Sequence, residues 1–224
     1  MSFYSWIDVL IISIPLALSF GKKIFYFKKW SYALGAILIA APAYIAWNVL
    51  AIFLGDWFFN PRYIGTVKFL NLPIAEACFF VAISFSCIFV YEVVQCFSKD
   101  REISFNKNII YIFIIFLMAA ALFYQNKNYT SISLIFLAAF FFLSVNFFKE
   151  IVFTKNFVVC LTIFYAPLLI SKGILAGLPV IIYNPQAIWG ARILSIPIED
   201  FIYTFTFLGF SVIAYKILIR KKSS

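Results

Sequence analysis

Apolar residues fall into seven long runs along the 224-residue chain, at about residues 3–20, 31–54, 73–98, 108–124, 129–147, 156–176 and 197–219, with short polar stretches between them. Each run approaches the ~20 mostly apolar residues that cross a bilayer as a helix. The pattern predicts an all-α integral membrane protein with seven transmembrane helices. Two of the runs open on a proline, Pro73 and Pro197, a residue favoured at the first helical position, so both are expected to start helices. The first run has no basic region before it, and SFGKKIFYF after it is not a small-residue cleavage site. It is expected to be a retained helix rather than a signal peptide.

Composition agrees with a bilayer. At 65% hydrophobic, 21% aromatic and 12% charged, the chain has too little polar surface to cover a soluble core. Its net charge of +9 sits at the ends of the runs, where phospholipid head groups are the nearer partner, so no nucleic-acid partner is expected. Lys22, Lys23, Lys28, Lys29, Lys99, Arg101, Lys107, Lys149, Lys155, Lys216, Arg220, Lys221 and Lys222 gather on one side, against Arg62, Lys68, Lys127, Lys172 and Arg192 on the other. The positive-inside rule then places the N-terminus outside and the C-terminus in the cytoplasm, in the cell membrane. The absence of histidine excludes catalytic triads and histidine metal sites. Cys78, Cys87, Cys96 and Cys160 lie inside runs without ligand spacing, so they read as packing residues and no metal is expected.

The chain also repeats itself. A shift of 124 residues superposes Asn60, Pro61, Ile64, Leu70, Pro73 and Ile74 on Asn184, Pro185, Ile188, Leu194, Pro197 and Ile198, and turns Lys68 into Arg192 and Glu76 into Asp200. This predicts a 3+1+3 tandem parallel repeat: 1–98 as a first three-helix unit, 99–126 as a linker with the fourth helix, and 127–224 as a second unit. Equivalent residues would share one depth. Each unit carries a long loop, roughly 55–72 and 177–196, holding Trp57 or Trp189 and a cation.

Glu76, Glu199 and Asp200 fall in the first helical turn after those prolines, where acids complement the helix dipole. Within a membrane an ionisable residue is costly and marks a working site more often than it would in a soluble protein. Desolvation favours the neutral acid, while Lys68, Arg192 and the helix N-terminus favour the carboxylate, so one site can hold an acid and a base together. Helical spacing adds Phe79 and Phe80 to the face of Glu76 and Tyr203 to that of Glu199, with Trp57 and Trp189 supplied by the loops. Aromatic faces stabilise a cation without attacking it.

At Pro73-Ile74-Ala75-Glu76 and Pro197-Ile198-Glu199-Asp200 the chain resembles the membrane-integral lycopene cyclases, found as two small subunits in some bacteria and as one fused chain in archaea and fungi. The resemblance implies a cofactor-free isomerisation: protonation of a terminal alkene of a linear carotenoid, ring closure, and proton loss, giving gamma- or beta-carotene from lycopene. It makes Glu199 and Asp200 a catalytic pair with Glu76 opposite, lined by Phe79, Phe80, Tyr203, Trp57 and Trp189. Asn60, Arg62, Lys68, Pro73, Asn184, Arg192 and Pro197 support them. One departure is Ala75, where the family pattern places an acid. The implied partners are a carotenoid within the bilayer and membrane lipids, with a second copy of the chain or other carotenoid-pathway enzymes as further candidates. The alternative is a small-solute transporter of the same 3+1+3 plan, whose site should carry polar residues at mid-membrane depth. A retinal-binding protein would need a lysine midway along the last helix, and Lys216 lies too far along it.

Overall fold

The computed structural model describes residues 2–223, with side chains described as far as Arg220; Lys221 and Lys222, counted above among the basic residues, lie outside the described side chains. Helix α1 (Phe3–Leu18) is capped by Ser2, whose hydroxyl accepts the Ser5 N–H at 3.2 Å. A 3-10 turn, Tyr26–Lys29, leads into α2 (Trp30–Leu54), which ends on Gly55 in the left-handed conformation at φ +76°. Then come α3 (Ile74–Phe97), α4 (Lys107–Phe123), α5 (Asn128–Phe147), a single turn α6 (Lys149–Val152), α7 (Lys155–Gly177) and α8 (Ile198–Ser223). Five of these stretches are long and apolar enough to cross a membrane: Tyr26–Leu54, α3, α5, α7 and Ile198–Arg220. Helices α1 and α4 have 16 and 17 residues. At ~1.5 Å per residue they are shorter than a ~30 Å hydrocarbon layer, so length and composition by themselves establish five spans.

The two long loops carry short strands. Strands β1 (Trp57–Phe59) and β4 (Ile181–Tyr183) pair antiparallel with Phe58 opposite Ile182, and so tie the two halves of the chain together. Two hairpins follow the same design, β2 (Lys68–Phe69) with β3 (Leu72–Pro73) and β5 (Arg192–Ile193) with β6 (Ile196–Pro197). Both two-residue turns have positive φ throughout, 48° and 66° at Leu70 and Asn71, 56° and 60° at Leu194 and Ser195. That is the I′ geometry whose twist suits a hairpin, and leucine is an uncommon choice for it. Pro73 and Pro197 end the hairpins and stand one residue before α3 and α8, so each lies just outside its helix instead of occupying the first helical position. The strands and helix starts recur at one interval: Trp57, Lys68, Leu72 and Ile74 open β1, β2, β3 and α3, and Ile181, Arg192, Ile196 and Ile198 open β4, β5, β6 and α8.

Helix α3 forms the centre, packed on α1, α7, α8 and α2, while α2 and α5 flank α8 and α4 leans on α5. Close approach comes from small side chains, as between membrane helices generally, where burial against lipid supplies no hydrophobic gain. Ala33, Ala36, Ala40 and Ala51 form a buried face of α2. Gly209 of α8 admits the buried Phe140 ring of α5 so closely that an added Cβ would stand 2.5 Å from it. One end of the bundle carries the hairpins and the repeated acids. At the other, Glu92 accepts hydrogen bonds from Lys29 and from the Tyr215 hydroxyl.

Candidate active site

Each hairpin delivers its proline at the point where backbone turns into helix, and the acid two or three residues on faces inward from the first turn. Glu76 and Asp200 thereby reach the same place from α3 and α8. The Glu76 Oε2 accepts the Tyr4 hydroxyl of α1. Asp200 has three donors: the Tyr129 hydroxyl of α5 on Oδ1, and on Oδ2 the Tyr183 hydroxyl of β4 at 2.8 Å and the Lys172 ammonium of α7 at 3.0 Å. Burial first, and the Asp200 carboxylate second, push the Tyr183 phenol well above its ordinary pKa, so it donates rather than ionises.

Both acids open onto one small cavity of about 30 Å³, lined among others by Trp57, Phe79, Phe80, Tyr203, Phe207 and Asn48. That is room for about one water molecule. The walls are held in place by their own bonds. The Tyr203 hydroxyl donates to the Tyr44 carbonyl at 2.9 Å and accepts the Asn48 amide at 3.0 Å. Lys172 also lies 5.9 Å from the centre of the Phe79 ring.

Of the residues singled out in the sequence, Glu76, Asp200, Phe79, Phe80, Tyr203 and Trp57 meet at this cavity. Glu199 is buried beside it, its Oε1 accepting the Thr130 hydroxyl at 2.5 Å and the Trp189 N–H at 2.7 Å, while its Oε2 has no hydrogen-bond partner among the described residues. Trp189 is 52% exposed, and its ring leans on Tyr124 rather than lining the cavity. Asn60 and Asn184 brace their loops, each accepting the N–H two residues on, at Arg62 and Gln186. Arg62 lies over Tyr63, and Arg192 over Tyr183 while donating to the Ser195 carbonyl. Lys68 is exposed on β2. The cation of the site is therefore neither Lys68 nor Arg192 but Lys172, counted above as a charge of the outer surface, whose side chain is only 14% exposed.

Sequence reasoning missed Tyr4, Tyr129, Tyr183, Lys172, Asn48 and Thr130. Lys172 and Asn48 carried a usable signal, each being a strongly polar side chain inside an apolar run. They also occupy matching places, since the interval that relates Ile74 to Ile198 relates Asn48 to Lys172. The two halves thus present the cavity with an amide and an ammonium. Nearby, Asp56 follows α2 in a loop, where burial pushes its carboxyl above the usual range and the hydrogen bond from Asn128 partly offsets this. Among the described residues no three His, Cys, Asp or Glu side chains cluster as metal ligands.

Comparison with known proteins gives one result. Searches of curated proteins and of solved structures return no match. A family model described as Lycopene cyclase matches residues 1–94 and 126–218, which carry both acids and all the helices that surround them, and leaves out the segment containing α4. Nothing in these comparisons supports the small-solute transporter alternative. The matched segments make up most of an apolar, helical membrane protein, and the chain belongs to the lycopene cyclase family.

Proposed function

We propose that this protein closes the ends of a linear carotenoid by acid–base catalysis, taking lycopene to gamma- and beta-carotene with no redox change and no cofactor. The observation that carries the reading is the unequal partnership of two acids at one aromatic cavity. Asp200, with three donors of which one is a cation, is the base. Glu76 has a tyrosine and no direct cation, so it is the group that arrives with a proton.

The steps balance. The Glu76 proton passes to the terminal alkene and leaves a tertiary cation; the neighbouring double bond attacks it and forms the ring carbon–carbon bond; Asp200 removes a proton beside the displaced cation to leave the ring alkene. The faces of Phe79, Phe80, Tyr203 and Trp57 stabilise the passing charge. Lys172 does not oppose it, because its own charge is spent on Asp200. Glu199 acts one layer out, locking the Trp189 loop to α5 through Thr130.

The substrate reaches the site within the bilayer. The recurrence of strands, hairpins and helix starts supports a 3+1+3 arrangement of two units, 1–98 and 127–224, about a linker, with α1 and α4 completing seven crossings. The basic cluster at the end opposite the acids supports a cytoplasmic C-terminus and a site near the outer face. Expression in a lycopene-accumulating host tests the reading: the pigment extract should contain gamma- and beta-carotene. Unchanged lycopene beside abundant, folded protein would overturn it.

A further inference from the structure

Asp8 lies one helical turn beyond Tyr4 on the same face of α1. It is 6% exposed, and neither carboxyl oxygen has a hydrogen-bond partner among the described residues. Helix α1 packs on α3, where Tyr4, one turn before Asp8, bonds Glu76, and Cys78 is the other titratable side chain near it. The cation that faces Glu76 from α7, Lys172, is bonded to Asp200 instead. A buried carboxyl without a partner is expensive, and packing gives no reason for it.

The opposite half supplies one. The Tyr4 N–H donates to the Tyr63 carbonyl at 3.2 Å and the Tyr129 N–H to the Ala187 carbonyl at 3.0 Å, so Tyr4 corresponds to Tyr129. On that register Ser5 corresponds to Thr130 and Asp8 to Ser133, whose hydroxyl is likewise buried without a partner. In the second half Thr130 and Glu199 form a bonded pair beside Asp200. In the first half both members are lost: Ala75 stands in place of Glu199, and the Ser5 hydroxyl is paired with Ser2 at 2.8 Å.

We propose that Asp8 is a positioning residue for the proton of Glu76, supplying from α1 the second carboxyl that α3 lacks at Ala75. The proposal rests on the cyclase reading. Two desolvated carboxyls close together keep at least one proton between them, so Glu76 meets the alkene loaded. Each turnover takes a proton from the Asp8–Glu76 pair and delivers one to Asp200, and it is restored when that proton returns across the cavity.

Asp8→Asn keeps the shape of an unbonded side chain and removes its proton chemistry. Conversion of lycopene should fall about 10-fold or more, with the alkaline limb of the pH–rate profile moved down by about one pH unit. Adding Ala75→Glu to that variant should restore both. A merely structural Asp8 predicts an unshifted profile and no rescue, and either result would overturn the proposal. A readout without turnover separates the two levels of the argument: the protonated-carboxyl infrared band of the purified protein should titrate at lower pH in Asp8→Asn than in the wild type. If that band shifts while the wild type leaves lycopene unchanged, the carboxyl pair stands and the cyclase reading falls. If lycopene is cyclised and the band is unmoved, the reverse holds.

Discussion

Lys172 carries a charge into the apolar bundle, and its compensation is the bond to Asp200. The donors on Asp200 therefore form a graded series. Tyr183→Phe removes one neutral donor and should slow conversion about 10-fold; Lys172→Met removes the cation and should cost about 10²-fold; Asp200→Asn should leave only background. Carotenoid formation per amount of folded protein measures all three, and an active Asp200→Asn would sink the assignment of the base. The sequence exposed the acids because proline and spacing marked them twice. It could not expose their tyrosines in the same way, since 13 tyrosines are scattered through the chain and only tertiary contact selects Tyr4, Tyr129 and Tyr183. Lys172 was misplaced for a different reason: counting charges near run ends treats every one as belonging to the surface, and a side chain one or two turns inside the helix can point the other way.

Among the elements, α5 and α8 are set at the distance that Gly209 allows. Gly209→Ala places a methyl group against the edge of the Phe140 ring, which is fully buried beside Phe157, Phe205 and Phe210. Overpacking of this kind costs about 1–3 kcal/mol, and here it also moves the helix that carries Asp200. Thermal unfolding in detergent should show the loss, and Phe140→Leu in the same chain should recover part of it. The long helices were legible from their apolar runs. The strands were not, because two or three residues offer no period to read. Their recurrence was nonetheless visible as repeated prolines and cations. What remained hidden was its purpose, which is to end a rigid hairpin where Glu76 and Asp200 begin their helices.

In the molecule as a whole the halves are interleaved. Strand β1 pairs with β4, α2 packs on α8, and α3 lies against both α7 and α8. Neither half can close the site alone, yet the chain linking them touches none of it. A break between Phe105 and Asn106, just before α4, should therefore abolish conversion when either piece is expressed singly and restore it when both are co-expressed. Recovery of activity from one piece would contradict the shared cavity. The pairing of halves could be anticipated from the repeat, whereas their crossing over could not, since an interval along a chain says nothing about which copy a helix will touch. The tightness of that shared cavity bears on the fidelity of the reaction. A carbocation in water is captured within moments and becomes a tertiary alcohol. With its narrow, largely aromatic walls, the cavity holds little solvent to compete, and the nearest electron pair is the substrate's own double bond.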